Sequence, residues 1–278
     1  MILKNLLRPF IHFFWLIKNK IDRVLGSSPK HIVICGFPRS GTSLMLNMLS
    51  TVIEKFKFEE FEVGAQDRLH RSGNFVTKYP LNILDLDEIE SKNKLNKKIF
   101  FIVIMRDIRD VLTSRHPNVP DEYFIGFQNS WWPQDSSFKK WNYNAPGIND
   151  IYRELKKIKS NKRENLILIR YEDLVNNTEN VQIELKQFLG IDFTGNLSDF
   201  YKHKDKHVYN YTGRFEAKDS SLVRENDKID TSRVEKWKLP EHHKRICEQF
   251  TKHPELFQLL IDYNYETDQS WFEFMQCK

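Results

Sequence analysis

The chain has 278 residues, 40% of them hydrophobic and 29% charged, with a net charge of +5 and a pI near 8.9. This size fits one sizeable α/β domain or at most two small ones, and the composition excludes a disordered chain. The basic bias is too weak to assign a nucleic-acid partner, and none is expected; it also suits an enzyme for anionic ligands. Cys35, Cys247 and Cys277 are odd in number and widely spaced, so neither a disulfide framework nor a zinc spacing is expected.

The first segment, MILKNLLRPFIHFFWLIKNK, has an uncharged stretch only from Pro9 to Ile17. A bilayer-spanning helix needs about 20 apolar residues, so a transmembrane anchor ranks last. The stretch has the length of a signal-peptide core, but no small-x-small cleavage site follows it. Two readings stay open. One is a membrane-surface helix with Lys4, Arg8, Lys18, Lys20 and Arg23 near headgroups; the other is a helix packed on the domain. Residues 1–29 are set apart as an apolar, basic segment, and residues 30–278 as one domain. The cytoplasm is the expected compartment, with peripheral membrane contact left open and the secretory lumen ranked below.

After the linker GSSPK, strand and helix signals alternate. A strand at 31–35 leads through a glycine-bearing loop into a helix from about 42 to 53, and residues 54–76 are mixed, with acidic and aromatic side chains interleaved. LNILDLDEIESKNKLNKK (81–98) reads as a helix, IFFIVIM (99–105) as a strand, and 107–114 as a helix. Residues 115–149 hold Pro117, Pro120, Pro133 and Pro146 with Trp131, Trp132 and Trp141, and read as an insertion with little regular structure. INDIYRELKKIKS (148–160) is amphipathic, NLILIRYEDL (165–174) carries a strand, and TENVQIELKQFLGI is a helix that Gly190 should cap. Unbroken apolar strands alternating with helices imply a three-layer α/β fold with a central parallel sheet. Ligands of such sheets bind at the carboxyl ends of the strands.

Two segments at that edge carry chemistry. HIVICGFPRSGTSLMLNML (31–49) keeps the spacing of the phosphate-binding loop G-x-x-x-x-G-K-[ST], but Thr42 stands at the lysine position and Arg39 lies inside the loop. Gly36 and Gly41 let successive N–H groups converge where a helix N-terminus adds about half a positive charge. Thr42 and Ser43 add hydroxyls, and Arg39 can make the charge-assisted bonds of the missing lysine. In FIVIMRDIRDVLTSRH, Arg106 ends a strand and Ser114 follows eight residues later, a little over two helical turns. That spacing lets both face one phosphate.

GFPRSGTS and RDIRDVLTS together resemble the 5′-phosphosulfate loop and the 3′-phosphate motif of sulfotransferases that use 3′-phosphoadenosine-5′-phosphosulfate (PAPS). IRYEDLVNNTENVQIELKQFLGI (169–191) and SRVEKWK (232–238) resemble later segments of that family, in the same order. The P-R-S-G-T pattern is closer to the tyrosylprotein and carbohydrate enzymes than to the cytosolic small-molecule ones. The resemblance implies a P-loop nucleotide-hydrolase-like fold and PAPS as co-substrate, with no metal expected. Pro38, Arg39, Ser40, Gly41, Thr42 and Ser43 would hold the phosphosulfate, and Arg106 and Ser114 the 3′-phosphate. Tyr171 would contact the nucleotide or pack as a core tyrosine, and Lys236 would close over the 3′-phosphate.

The implied reaction is in-line attack of an acceptor hydroxyl on sulfur, releasing adenosine 3′,5′-bisphosphate. TKYPLN keeps Lys78 and Pro80 of the family's K-x-H-x-P stretch but lacks its histidine, which argues for another base. The acidic candidates are Glu59, Glu60 and Glu62. In the tyrosylprotein branch the catalytic glutamate follows the loop arginine by 21 positions, which from Arg39 lands on Glu60; Glu59 is the reserve. Lys78 and Arg39 would stabilise the bridging oxygen. The acceptor is expected to be a glycan, and the tryptophans suit sugar stacking, a tyrosine-bearing acceptor or a core. His203 and His207 read as part of a solvated basic face. Tyrosine or small-molecule sulfation, a P-loop kinase and a non-catalytic membrane-binding adaptor are the competing readings.

Overall fold

The computed structural model describes residues 13–14, 17–18, 21, 28–59, 61–116, 118–134, 140–208 and 229–275. Strand β1 (Lys30–Gly36) runs through the centre of a five-stranded parallel sheet of order β2–β3–β1–β4–β7, with β2 at Lys57–Phe58, β3 at Phe75–Lys78, β4 at Lys98–Met105 and β7 at Leu166–Arg170. The apolar runs are continuous because the sheet is covered twice. Val33, Cys35, Phe101, Val103 and Met105 point into one core, and Ile32, Ile34, Ile102 and Ile104 into the other. The alternation of a strand with period two thus serves both faces.

Helices α1 (Thr42–Val52), α5 (Tyr171–Asn176) and α6 (Thr178–Leu189) cover the second face. The first is covered by α2 (Leu86–Ser91), α3 (Ile108–Leu112), α4 (Ile148–Asn161), α7 (Pro240–Lys252) and α8 (Glu255–Asp262). The three-layer α/β architecture expected from the alternation is present. Gly190 ends α6 at φ 55°, the left-handed cap that the sequence signals there.

Several local expectations are corrected. The stretch read as one helix over 81–98 is a 3-10 turn (Pro80–Asp85) followed by the short α2. Asn93 ends the regular path by exchanging hydrogen bonds with the backbone N–H and carbonyl of Lys97, the competition with helix that short amide side chains offer. The insertion read as irregular contains an antiparallel hairpin, β5 (Asn129–Pro133) against β6 (Trp141–Pro146). Its prolines close the strands at their ends instead of interrupting them. His207 is buried, stacked on Phe200 and hydrogen-bonded to the Phe200 carbonyl, whereas His203 is exposed. Cys35 is a buried free thiol, and Cys247 is disulfide-bonded, a single bond where no disulfide framework is expected.

Candidate active site

The strands all end at one edge, and their register sets the level of the site. Gly36 pairs with Ile104 and Met105 with Arg170, so the loop 37–43, Arg106 and Tyr171 all begin at the same height. Lys78, at the end of β3, pairs with Ile34 on the other side of β1.

The loop turns where only glycine fits. Gly36 has φ +136°, and a Cβ there would lie 2.2 Å from the Ile104 carbonyl oxygen. Gly36→Ala is therefore expected to cost at least the ~1–3 kcal/mol of an overpacked core, read as a lower denaturant midpoint. An unchanged midpoint would show that β4 yields to the methyl group. Gly41 caps α1 at φ +101°, and a Cβ on it would meet the Tyr171 ring at 2.5 Å. No side chain caps the helix N-terminus, so its first-turn N–H groups are left for an outside acceptor.

Around this turn the polar groups converge. Pro38 and Thr42 are buried and Ser43 is half-buried. Ser40 is fully buried, and its Oγ has no hydrogen-bond partner among the described residues. Arg39 has φ 72°, an uncommon conformation for a non-glycine residue. Its Nε donates to Ser114 Oγ at 2.8 Å. Ser114 itself follows Thr113, the C-cap of α3, instead of lying on the helix as its spacing implied. Arg106 donates to the Arg39 carbonyl at 3.2 Å and to the Arg233 carbonyl, and pairs with Asp110 at 3.4 Å. Its guanidinium lies 4.4 Å from the Tyr171 ring centroid, and its Nε is buried without a hydrogen-bond partner among the described residues. Tyr171 belongs to the core and supports both Gly41 and Arg106.

Asp110 ties the C-terminal segment to this cluster by accepting from the backbone N–H groups of Glu235 and Trp237. Burial pushes its carboxyl up to about 6, with the Arg106 charge opposing. Lys236 sits half-buried in the turn so anchored, and its charge bears on His242.

On the β3 side, Lys78 is 0% exposed and its ammonium donates to Glu62 Oε1 at 2.6 Å. Burial lowers its pKa, the Glu62 carboxylate raises it, and the Arg39 charge lowers it again. Glu59 is held by Arg68 in a two-pronged pair of 2.5 and 2.9 Å, and that hydrogen bonding keeps its carboxyl below the usual range. A carboxylate so engaged is a poorer proton acceptor, which weighs against Glu59 as the base. Glu60 lies outside the described residues. Tyr79, next to Lys78, meets Trp132 edge-on with ring centroids 5.5 Å apart. Trp131, Trp132 and Trp141 are half-buried and pack on the core.

Two neighbours of the site, Arg233 and His116, were not singled out in the sequence. Glu62 was one of three acidic candidates, and only the structure brings it to Lys78. Arg233 lies in the SRVEKWK motif, and its charge bears on Tyr171. His116 is buried and pulled down to about 4 by that burial and by the nearby Arg39 charge; nothing in its sequence context marks it. Among the described residues no group of His, Cys, Asp and Glu could hold a metal ion.

A family model described as the sulfotransferase domain matches residues 29–258. The chain belongs to the sulfotransferase family. Two solved structures resemble this sulfotransferase, each with a TM-score of 0.54 at 16% identity and each covering 86% of the chain. One is the sulfotransferase domain from the curacin biosynthetic pathway, matched over 98% of its own length. The other is the sulfotransferase domain of the Synechococcus PCC 7002 olefin synthase, matched over 95%. At such low identity these likenesses speak for the fold, the P-loop nucleotide-hydrolase-like architecture of sulfotransferases. No curated protein matches the sulfotransferase by sequence.

Proposed function

We propose that this sulfotransferase moves a sulfuryl group from PAPS to a hydroxyl of a carbohydrate. The observation that carries the donor half is the pair of buried, unpartnered donors, Ser40 Oγ and Arg106 Nε, flanking a glycine turn whose lysine position is Thr42. Buried polar atoms without partners are costly, and phosphate oxygens would satisfy them, so the residues present fit the nucleotide. Pro38, Arg39, Ser40, Gly41, Thr42 and Ser43 would hold the phosphosulfate. Arg106 and Ser114 would hold the 3′-phosphate, with Lys236 and Arg233 adding positive charge from the C-terminal segment. PAPS supplies an activated sulfuryl group on a phosphate leaving group. The chain's own work is to remove the acceptor proton, assigned to Glu60, and to neutralise charge on the departing oxygen with Lys78 and Arg39.

The carbohydrate half is supported by aromatic surface beside Lys78, where Tyr79 and Trp132 meet. The test is incubation with labelled PAPS and a panel of glycans, tyrosine peptides and phenols. Label on a glycan is expected. Label on tyrosine or a phenol keeps the transfer and moves the acceptor, and no label on any acceptor overturns the proposal.

We also propose peripheral membrane contact. Residues 13, 14, 17, 18 and 21 of the N-terminal segment are helical, and Phe13, Phe14, Ile17 and Ile21 are exposed. Residues 13, 17 and 21 recur every four positions and share one helix face, an apolar face next to basic residues that suits an anionic surface. No helix among the described residues is long and apolar enough to cross a membrane. Deleting residues 1–26 is expected to release the protein from anionic vesicles with its cooperative melting intact. Loss of cooperative melting would show instead that the segment completes the core.

A further inference from the structure

We propose that Glu62 is a positioning residue for sulfuryl transfer, whose ion pair with Lys78 holds that buried ammonium charged and in place at the carboxyl edge of the sheet. The inference rests on the reading that Lys78 supports the departing oxygen. Its geometry stands independently of that reading. The Glu59 N–H donates to the Val76 carbonyl at 3.3 Å and the Val63 N–H to the Lys78 carbonyl at 3.2 Å, so residues 59 and 63 are both fastened to β3. The anchored Val63 holds its neighbour in register, and the Glu62 carboxylate lies 2.6 Å from the Lys78 ammonium.

The two side chains differ in surroundings. Lys78 is 0% exposed, while the Glu62 side chain is 34% exposed at the mouth of the site. A buried ammonium without a partner gives up its proton instead of bearing the cost of desolvation. A neutral amine would bring no positive charge to a departing oxygen. The charged groups around Lys78 act in opposite directions. Burial and Arg39, from the loop after β1, favour the neutral amine, and Glu62, from the segment after β2, favours the ammonium. Of the other neighbours, Glu59 is engaged by Arg68, and the Tyr79 hydroxyl is pushed up to about 12 by burial and the Glu62 charge, so it stays neutral.

The sign of the pH effect follows. Lys78 is useful while protonated, so activity should fall as pH rises through its pKa. Removing Glu62 should move that fall to lower pH. The experiment measures kcat against pH for the wild type, Glu62→Gln and Glu62→Asp. In parallel, the titration of Lys78 is followed by NMR on protein with 13C-labelled lysine, which needs no turnover. The alkaline limb of Glu62→Gln should move towards acid by about 1–3 pH units, the usual effect of losing an opposite charge within hydrogen-bonding distance. The kcat loss in Glu62→Gln should be smallest near pH 6 and grow as pH rises, and Glu62→Asp should restore most of the limb. The Lys78 NMR midpoint should fall in Glu62→Gln. A Lys78 midpoint unmoved in Glu62→Gln overturns the inference, as does a kcat loss equal at every pH. A wild type that transfers no sulfate, with the NMR midpoint still moving, would instead overturn the role of Lys78 in transfer and leave the ion pair established.

Discussion

Glu60→Gln is expected to lower the rate of sulfuryl transfer by about 10²–10⁴, the usual contribution of a positioned general base, while leaving nucleotide affinity nearly unchanged. The amide keeps the size and shape of the side chain and removes only its ability to take a proton. Competing assignments narrow in two ways. The histidine used elsewhere in the family is absent from TKYPLN, and Glu59 spends both carboxylate oxygens on Arg68. Glu59→Gln is the control. It should keep most of the activity and lose some stability, because it leaves the Arg68 guanidinium without its partner. Glu62→Gln separates from both by its pH profile, since a lost base depresses the rate at every pH where the enzyme works. Full activity in Glu60→Gln would exclude Glu60, and activity loss in Glu59→Gln alone would move the base by one residue.

Arg106→Ala is the second large effect. Adenosine 3′,5′-bisphosphate should raise the melting temperature of the wild type, and the variant should lose most of that shift, since a charged hydrogen-bond partner contributes about 1.5–3 kcal/mol. The fold should suffer as well. Arg106 fastens the Arg39 carbonyl and the Arg233 carbonyl and pairs with Asp110, and removing one member of a buried pair typically costs about 3–5 kcal/mol.

The pH dependence of that stability loss has a definite sign. Burial already raises the Asp110 carboxyl to about 6, above its ordinary 3.8, against the opposing Arg106 charge. A group raised in the folded state contributes stability at low pH that is lost as pH rises through the folded value. Without Arg106 that value rises further, so the gap between variant and wild type should widen from pH 5 to pH 7.5. Arg106→Lys should narrow it. A nucleotide shift that survives Arg106→Ala would remove Arg106 from the binding site.

The parts of this protein legible in the chain alone are those that local physics decides. A continuous apolar run bounded by Gly36 announces a covered strand and a turn, because backbone freedom and hydrophobic periodicity are properties of neighbouring residues. The same holds for Gly190, which caps α6 in the left-handed conformation that its position signals. The two segments proposed to hold phosphate stand out for the same reason: glycines, hydroxyls and arginines at fixed spacing beside a strand end. Glu59, Glu60 and Glu62 show the limit. All three sit in one acidic stretch with the same local signal, yet Glu59 goes to Arg68 and Glu62 to Lys78. Which goes where depends on the backbone bonds that fasten Glu59 and Val63 to β3, to residues about 16 positions away. Ser114 is similar. Its spacing suggested a place on the same helix face as Arg106, but α3 ends at Leu112, and Ser114 meets the Arg39 side chain 75 positions earlier in the chain. The hairpin β5–β6 escaped notice because its prolines read as interruptions, whereas pairing between distant strands decides whether a proline falls at an end or in the middle. Such contacts are settled by register and packing between segments that no window along the sequence contains together, and they emerge only when the sheet has closed.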